Sequence, residues 1–244
     1  NTREDREALR SSALRTLIVR GSWGSGRDTL LRDLLEVIKA QGSTSFPLAA
    51  VEKAMALRGK SLAVTDALIE DVLALEYGKA RTFAVLATLF PHVDTRNVFH
   101  VDHVFPAARF DRKALASLTA DDGTPKFSAE HITELIELRD TLPNLELLPG
   151  LENIGKPDQA PDDWLAAEYP SQDDRSAFLA RNALPSTLPH SIDAFMAFYK
   201  QRRGSLVARI QDKLKTQGSE PSASEEGLSE VALDEALAEG DDEG

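Results

Sequence analysis

A chain of 244 residues with 42% hydrophobic content is long enough for one large domain or two small ones around a buried core. Without cysteine it forms neither disulfides nor thiolate metal sites, and no apolar run nears the roughly 18 residues that span a bilayer, so no membrane partner is expected. The net charge of −12 is concentrated at one end: residues 219–244 carry ten acidic side chains and no Lys or Arg, which leaves the rest nearly neutral, so the global charge says little about its partners.

The first ninety residues read as helices. Thr2 to Val19 is charged with loose 3.6-residue periodicity. Thr29 to Ala40 sets Leu30, Leu31, Leu34, Leu35 and Ile38 on one face, with Asp28 as its N-cap. Leu48 to Arg58 and Thr65 to Glu76 follow, and Lys79 to Leu89 is apolar enough to be buried. The texture changes at Asn97. Val98 to Phe105 is a short β-like run ending at Pro106, and a polar, partly helical stretch spans Asp111 to Asp140. Leu145 to Leu148, bounded by Pro143 and Pro149-Gly150, is the next strand candidate. Helices then begin near Asp162 and run from about Asp173 to Arg181 and Ser191 to Lys215.

The organisation expected is an N-terminal helical region (1–96), a small β-containing segment with an insertion (97–170), C-terminal helices (171–218) and an acidic tail (219–244) whose Ser, Glu and Gly content reads as disordered. A solvating tail and a DNA mimic are the two readings open for the last segment. The chain opens with Asn1 rather than Met and with no signal-peptide pattern, which fits a piece of a longer cytoplasmic polypeptide.

Phosphodiester hydrolysis needs a base to activate water and a cation to stabilise the leaving oxygen. Histidine titrates near neutrality, and a hard divalent cation takes oxygen ligands while keeping several waters. Asp102 beside His103 supplies both chemical types, but neighbours on a regular strand point to opposite faces, so the pair is expected at a strand end or bulge.

The string His100-Val101-Asp102-His103-Val104-Phe105-Pro106, then Leu142-Pro143-Asn144-Leu145-Glu146-Leu147-Leu148, then Glu152-Asn153-Ile154-Gly155-Lys156 with Trp164-Leu165, resembles the HNH (His-Me finger) nuclease motif. It is most similar to the C-terminal nuclease half of GmrSD-type and SspE-type bacterial anti-phage proteins, over about 65 residues. The resemblance implies a mainly α fold holding a small ββα-metal insert, a helical bundle around a two-stranded β element. It also implies a bacterial cytoplasmic setting and an NTPase-like sensor half N-terminal to the nuclease. By matched position, His103 is the general base and Asn144 orients its imidazole by a hydrogen bond. Asp102 and Asn153 hold the metal, Mg²⁺ or Mn²⁺, and Lys156 contacts a phosphate. His100, two residues before Asp102, is either a support for that ligand or an ordinary surface histidine. Two departures stand out: Gly155 and Pro157 permit only a short turn around Asn153, and the insertion between Pro106 and Asn144 is long.

Lys200, Arg202, Arg203, Arg209, Lys213 and Lys215 load the last helix with positive charge, which suits either a DNA backbone or a solvated face. Gly21-Ser-Trp-Gly-Ser-Gly-Arg27-Asp28-Thr29 imitates a phosphate loop, but Arg27 and Asp28 stand where Lys and Ser/Thr are required, so a turn is the better reading. His131 and His190 read as surface or capping residues, and Trp23 and Trp164 as core anchors. The function expected is a metal-dependent DNA endonuclease that nicks, the effector of a restriction protein. The alternatives are a DNA-binding or docking module with the same fold, and an RNase of the same superfamily.

Overall fold

A computed structural model describes residues 2–19, 21–40, 45–90, 92, 98–149 and 158–214. Asn153 and Lys156, with Lys215 and the acidic tail, lie outside the described residues.

Helix α1 (Arg3–Ile18) starts at a reciprocal cap: the Thr2 hydroxyl accepts from the Asp5 amide at 3.1 Å, and the Asp5 carboxylate accepts from the Thr2 amide at 2.9 Å. Before α2 (Arg27–Ala40), Gly21 and Gly26 take φ of +81° and +71°, which L side chains rarely adopt. The glycine-rich string is therefore a turn, as expected; the helix begins at Arg27, so Asp28 sits in the first turn and is not the cap. Helices α3 (Leu48–Ala56), α4 (Asp66–Leu73, capped by the Thr65 hydroxyl) and α5 (Ala80–Leu89) complete the N-terminal part.

Strand β1 (Phe99–His103) leads through a 3-10 turn (Ala107–Phe110) to α6 (Arg112–Ser117) and α7 (Ala129–Arg139). A second 3-10 turn (Leu142–Asn144) delivers β2 (Leu145–Pro149), followed by α8 (Pro161–Glu168), α9 (Gln172–Arg181) and the 20-residue α10 (Phe195–Leu214). The architecture is thus mainly helical around one two-stranded antiparallel sheet, as the periodicity predicts.

The register pairs Phe99 with Pro149, His100 with Leu148, Val101 with Leu147, Asp102 with Glu146 and His103 with Leu145. Alternation then gives the sheet two different coverings. Leu145 and Leu147, with Phe99 and Val101 packed alongside, belong to a cluster with Ile69, Val72 and Leu73 of α4, Val85, Leu86 and Leu89 of α5, and Leu206 and Ile210 of α10. Leu148 of the other face belongs to a cluster of Val104, Phe105, Phe110, Leu135, Trp164, Phe178 and the aromatic start of α10. There Phe105 meets Phe195 and Phe198 with ring centroids 5.3 and 5.1 Å apart, and burial of each such ring contributes about 2–3 kcal/mol. The insertion is long because its helices complete this second core. Trp164 is buried as expected, but Trp23 is 38% exposed and anchors no core. On α2 only Leu30 and Leu34 are buried; α3 covers too narrow a strip to reach Leu31, Leu35 and Ile38, which stay exposed. Among the described residues, no helix is long and apolar enough to cross a membrane.

Candidate active site

His103 is the last residue of β1, buried to 7% exposure. Its Nε2 lies 2.8 Å from Oδ1 of Asp140, and its ring centroid is 4.5 Å from that of Tyr77. Asp140 caps the end of α7 and is fixed by its own neighbour: Arg139 Nε donates to both carboxylate oxygens at 3.0 Å, and its Nη2 donates to Oδ2. The Arg139 hydrogen bonds, and then that of His103, hold the Asp140 carboxyl below its ordinary value despite partial burial. An ionised carboxylate only accepts, so the neutral His103 ring carries its proton on Nε2.

These groups line a cavity of about 640 Å³, whose wall includes Glu76, Tyr77, His103, Glu137, Arg139 and Asp140. The Tyr77 edge is anchored where the Tyr77 amide donates to the Asp140 carbonyl at 2.7 Å and Glu76 bridges Thr141. The segment before α5 and the end of α7 thereby close on the strand end from two sides.

Asn144 does not orient the imidazole by a hydrogen bond; Asp140 occupies that place. The buried Asn144 side chain works on backbone instead: Oδ1 accepts from the Phe105 amide at 2.9 Å, and Nδ2 donates to the carbonyls of Phe105 at 3.1 Å and Arg139 at 2.8 Å. It ties the chain leaving β1 to the end of α7, so it acts on His103 through the strand and the Asp140 helix end. Sequence reasoning missed Asp140 because 37 positions separate it from His103, and an Arg-Asp pair ending a polar helix looks like ordinary surface.

Asp102 lies opposite Glu146 on the other strand face. The pairing is regular through both residues, without a bulge, so alternation turns Asp102 away from His103. Asp102 is half-buried and Glu146 buried. Arg202 of α10 is completely buried, and its Nη2 donates to the Leu145 carbonyl of β2 at 2.8 Å. Burial lowers its pKa to about 10 while the Glu146 charge opposes that shift, so it remains cationic at neutral pH. His100 is exposed on the Asp102 face. A carboxylate oxygen at Asp102 suits a hard cation by chemistry. The described residues nevertheless do not bring it to the face that carries His103, and Asn153 lies outside them.

The basic stripe expected on α10 is not one stripe. Lys200 is exposed, but Arg202 is in the core, Arg203 is paired with Glu70, and Arg209 donates to the Arg181 carbonyl at 2.7 Å with its guanidinium over the Phe90 ring. His131 of α7 is half-buried and packs edge-on against Phe127. His190 sits 3.1 Å from Asp162 and 3.5 Å from Asp163 at the start of α8, a mostly exposed group with three potential metal-ligand atoms.

No family model matches the chain, and no curated protein matches it at a significant level.

Proposed function

We propose that the chain is a metal-dependent DNA endonuclease of the HNH type, the effector of a phage-restriction protein, with His103 as the base that takes a proton from water. The observation that carries the reading is the burial of His103 at the end of β1, its ring held by an Arg139-clamped carboxylate on the wall of a cavity of about 640 Å³. A base needs this combination of fixed orientation and access to a reactant. The order strand, strand, helix in β1, β2 and α8 supports the ββα arrangement that the motif resemblance implies.

A divalent cation, Mg²⁺ or Mn²⁺, supplies charge stabilisation to the leaving oxygen when bound, and Asp102 and Asn153 are its ligands by resemblance. The protein's own contribution is to hold the imidazole, exclude part of the solvent and present Tyr77 beside it. One site of this kind cuts one strand at a time, so nicking is the expected product.

A second reading is favoured by the opposite facing of Asp102 and His103: a DNA-binding module that keeps the fold without efficient cutting. Relaxation of supercoiled plasmid in Mg²⁺, Mn²⁺ or EDTA, beside a His103→Ala control, separates the two. Metal-dependent nicking lost in the variant is the expected result. DNA binding without nicking in either metal would select the module instead.

A further inference from the structure

The end of α9 and the outer side of α10 form a second polar feature away from the strand pair. Arg181, the last residue of α9, is exposed, with its guanidinium carbon 5.2 Å from the Phe178 ring centroid and 5.9 Å from that of Tyr169. Arg209 of α10 reaches across to the Arg181 carbonyl at 2.7 Å while its guanidinium lies 4.8 Å over the Phe90 ring. Both cations are held against aromatic faces, which fixes their direction and lowers the entropy lost on binding a partner. Neither is paired with a carboxylate among the described residues, in contrast to Arg203 with Glu70 and Arg139 with Asp140.

A third basic group joins them. His92 is exposed, its ring edge-on to Phe90 at a centroid separation of 6.1 Å, on the ring that Arg209 covers, and the charges of both guanidiniums bear on it. Partial desolvation, and then the charges of Arg181 and Arg209, push its imidazole below the ordinary value, while Asn182 pulls the other way. The acidic group that bears on this cluster is Asp212, which acts on Arg209. The exposed Arg181, the half-buried Arg209 with its charge partly offset by Asp212, and His92 therefore lie together, on a chain whose remainder outside the acidic tail is nearly neutral.

We propose that Arg181, Arg209 and His92 form a surface that grips the phosphate backbone of a nucleic acid. Guanidiniums match phosphate oxygens in geometry as well as charge, and binding to them releases counterions. The surface takes over the task that charge counting along α10 gives to Arg202 and Arg203, both engaged elsewhere. Its choice of polyanion rests on the nuclease reading.

The test uses the whole chain with His103→Ala, so that no cutting interferes, and a fluorescent DNA duplex in EDTA over a range of salt. The Arg181→Gln/Arg209→Gln variant should bind at least about tenfold more weakly, and its slope of log affinity against log salt should be shallower by about two. The single Arg181→Gln change, at an exposed position, should give about half that slope change and guards against misfolding of the double variant. Unchanged affinity and slope would overturn the proposal, as would absence of duplex binding by the His103→Ala chain. Plasmid relaxation by the unaltered chain is scored separately. Nicking with patch-independent binding removes this surface alone, whereas patch-dependent binding without nicking removes the nuclease reading alone.

Discussion

The smallest unit on which the proposed chemistry rests is the His103–Asp140–Arg139 chain of contacts. A carboxylate beside a histidine fixes which nitrogen bears the proton and stabilises the cationic ring once a proton is taken up. Arg139 keeps Asp140 ionised for that task, so the carboxyl lies below its ordinary range. The sign follows: this group favours the folded state above the ordinary carboxylate pKa, and that contribution is lost as pH falls through its lowered value. In the nuclease reading, Asp140→Asn should lower the nicking rate toward the roughly 100-fold loss associated with a displaced base, leaving KM for plasmid little changed. A single-turnover assay reads this, and an undiminished rate would deny Asp140 any positioning role. Adjacent Asp102 and His103 are the plainest letters in the sequence, yet their usefulness depends on which way each side chain leaves the strand. Only pairing with Glu146 and Leu145 settles that.

Among the elements, α10 shows how one helix serves two purposes. Phe195, Phe198, Tyr199, Arg202, Leu206, Ile210 and Leu214 are its buried residues, a stripe at three- and four-residue spacing. Arg202 falls within that stripe, so the periodicity itself held the signal that it points inward, although its charge suggested the reverse. Its guanidinium holds the Leu145 carbonyl of β2, while Nε and Nη1 find no hydrogen-bond partner among the described residues. Arg202→Met should cost about 3 kcal/mol in urea unfolding, because it removes the hydrogen bond to the Leu145 carbonyl and the positive charge that acts on buried Glu146. Adding Glu146→Gln should recover a good part of that loss. Two additive effects in such a cycle would show that the charges are not coupled. The apolar run of α5 was legible directly, since periodicity is local, whereas the Thr2–Asp5 capping box came from the structure. The exposed half of the α2 stripe was not, because a helix sequence does not state how wide its neighbour will be.

At the level of the whole molecule, charge is distributed unevenly. Residues 219–244 contribute ten of the 40 acidic side chains and no compensating base, so the net value of −12 misdescribes the rest of the chain. Truncation after Gly218 should leave duplex affinity of the His103→Ala chain within about twofold at moderate salt, where separated charges are screened beyond about 10 Å. A large gain in affinity on truncation would instead support the tail as a competitor for the basic surface.

By itself the sequence determined the helical class, the two short strands and the motif that singles out His103, because periodicity, caps and turn residues act over a few neighbours. It also singled out Asn144, whose side chain bonds to backbone groups of Phe105 and Arg139 and not to the imidazole that the resemblance implies. Only the tertiary structure decided that Asp140 holds the imidazole, that Arg202 is a core residue and that Arg181 joins Arg209 at the surface. Each of those depends on contacts between elements 28 to 57 positions apart, and such contacts are fixed by how whole helices pack on the two faces of the sheet.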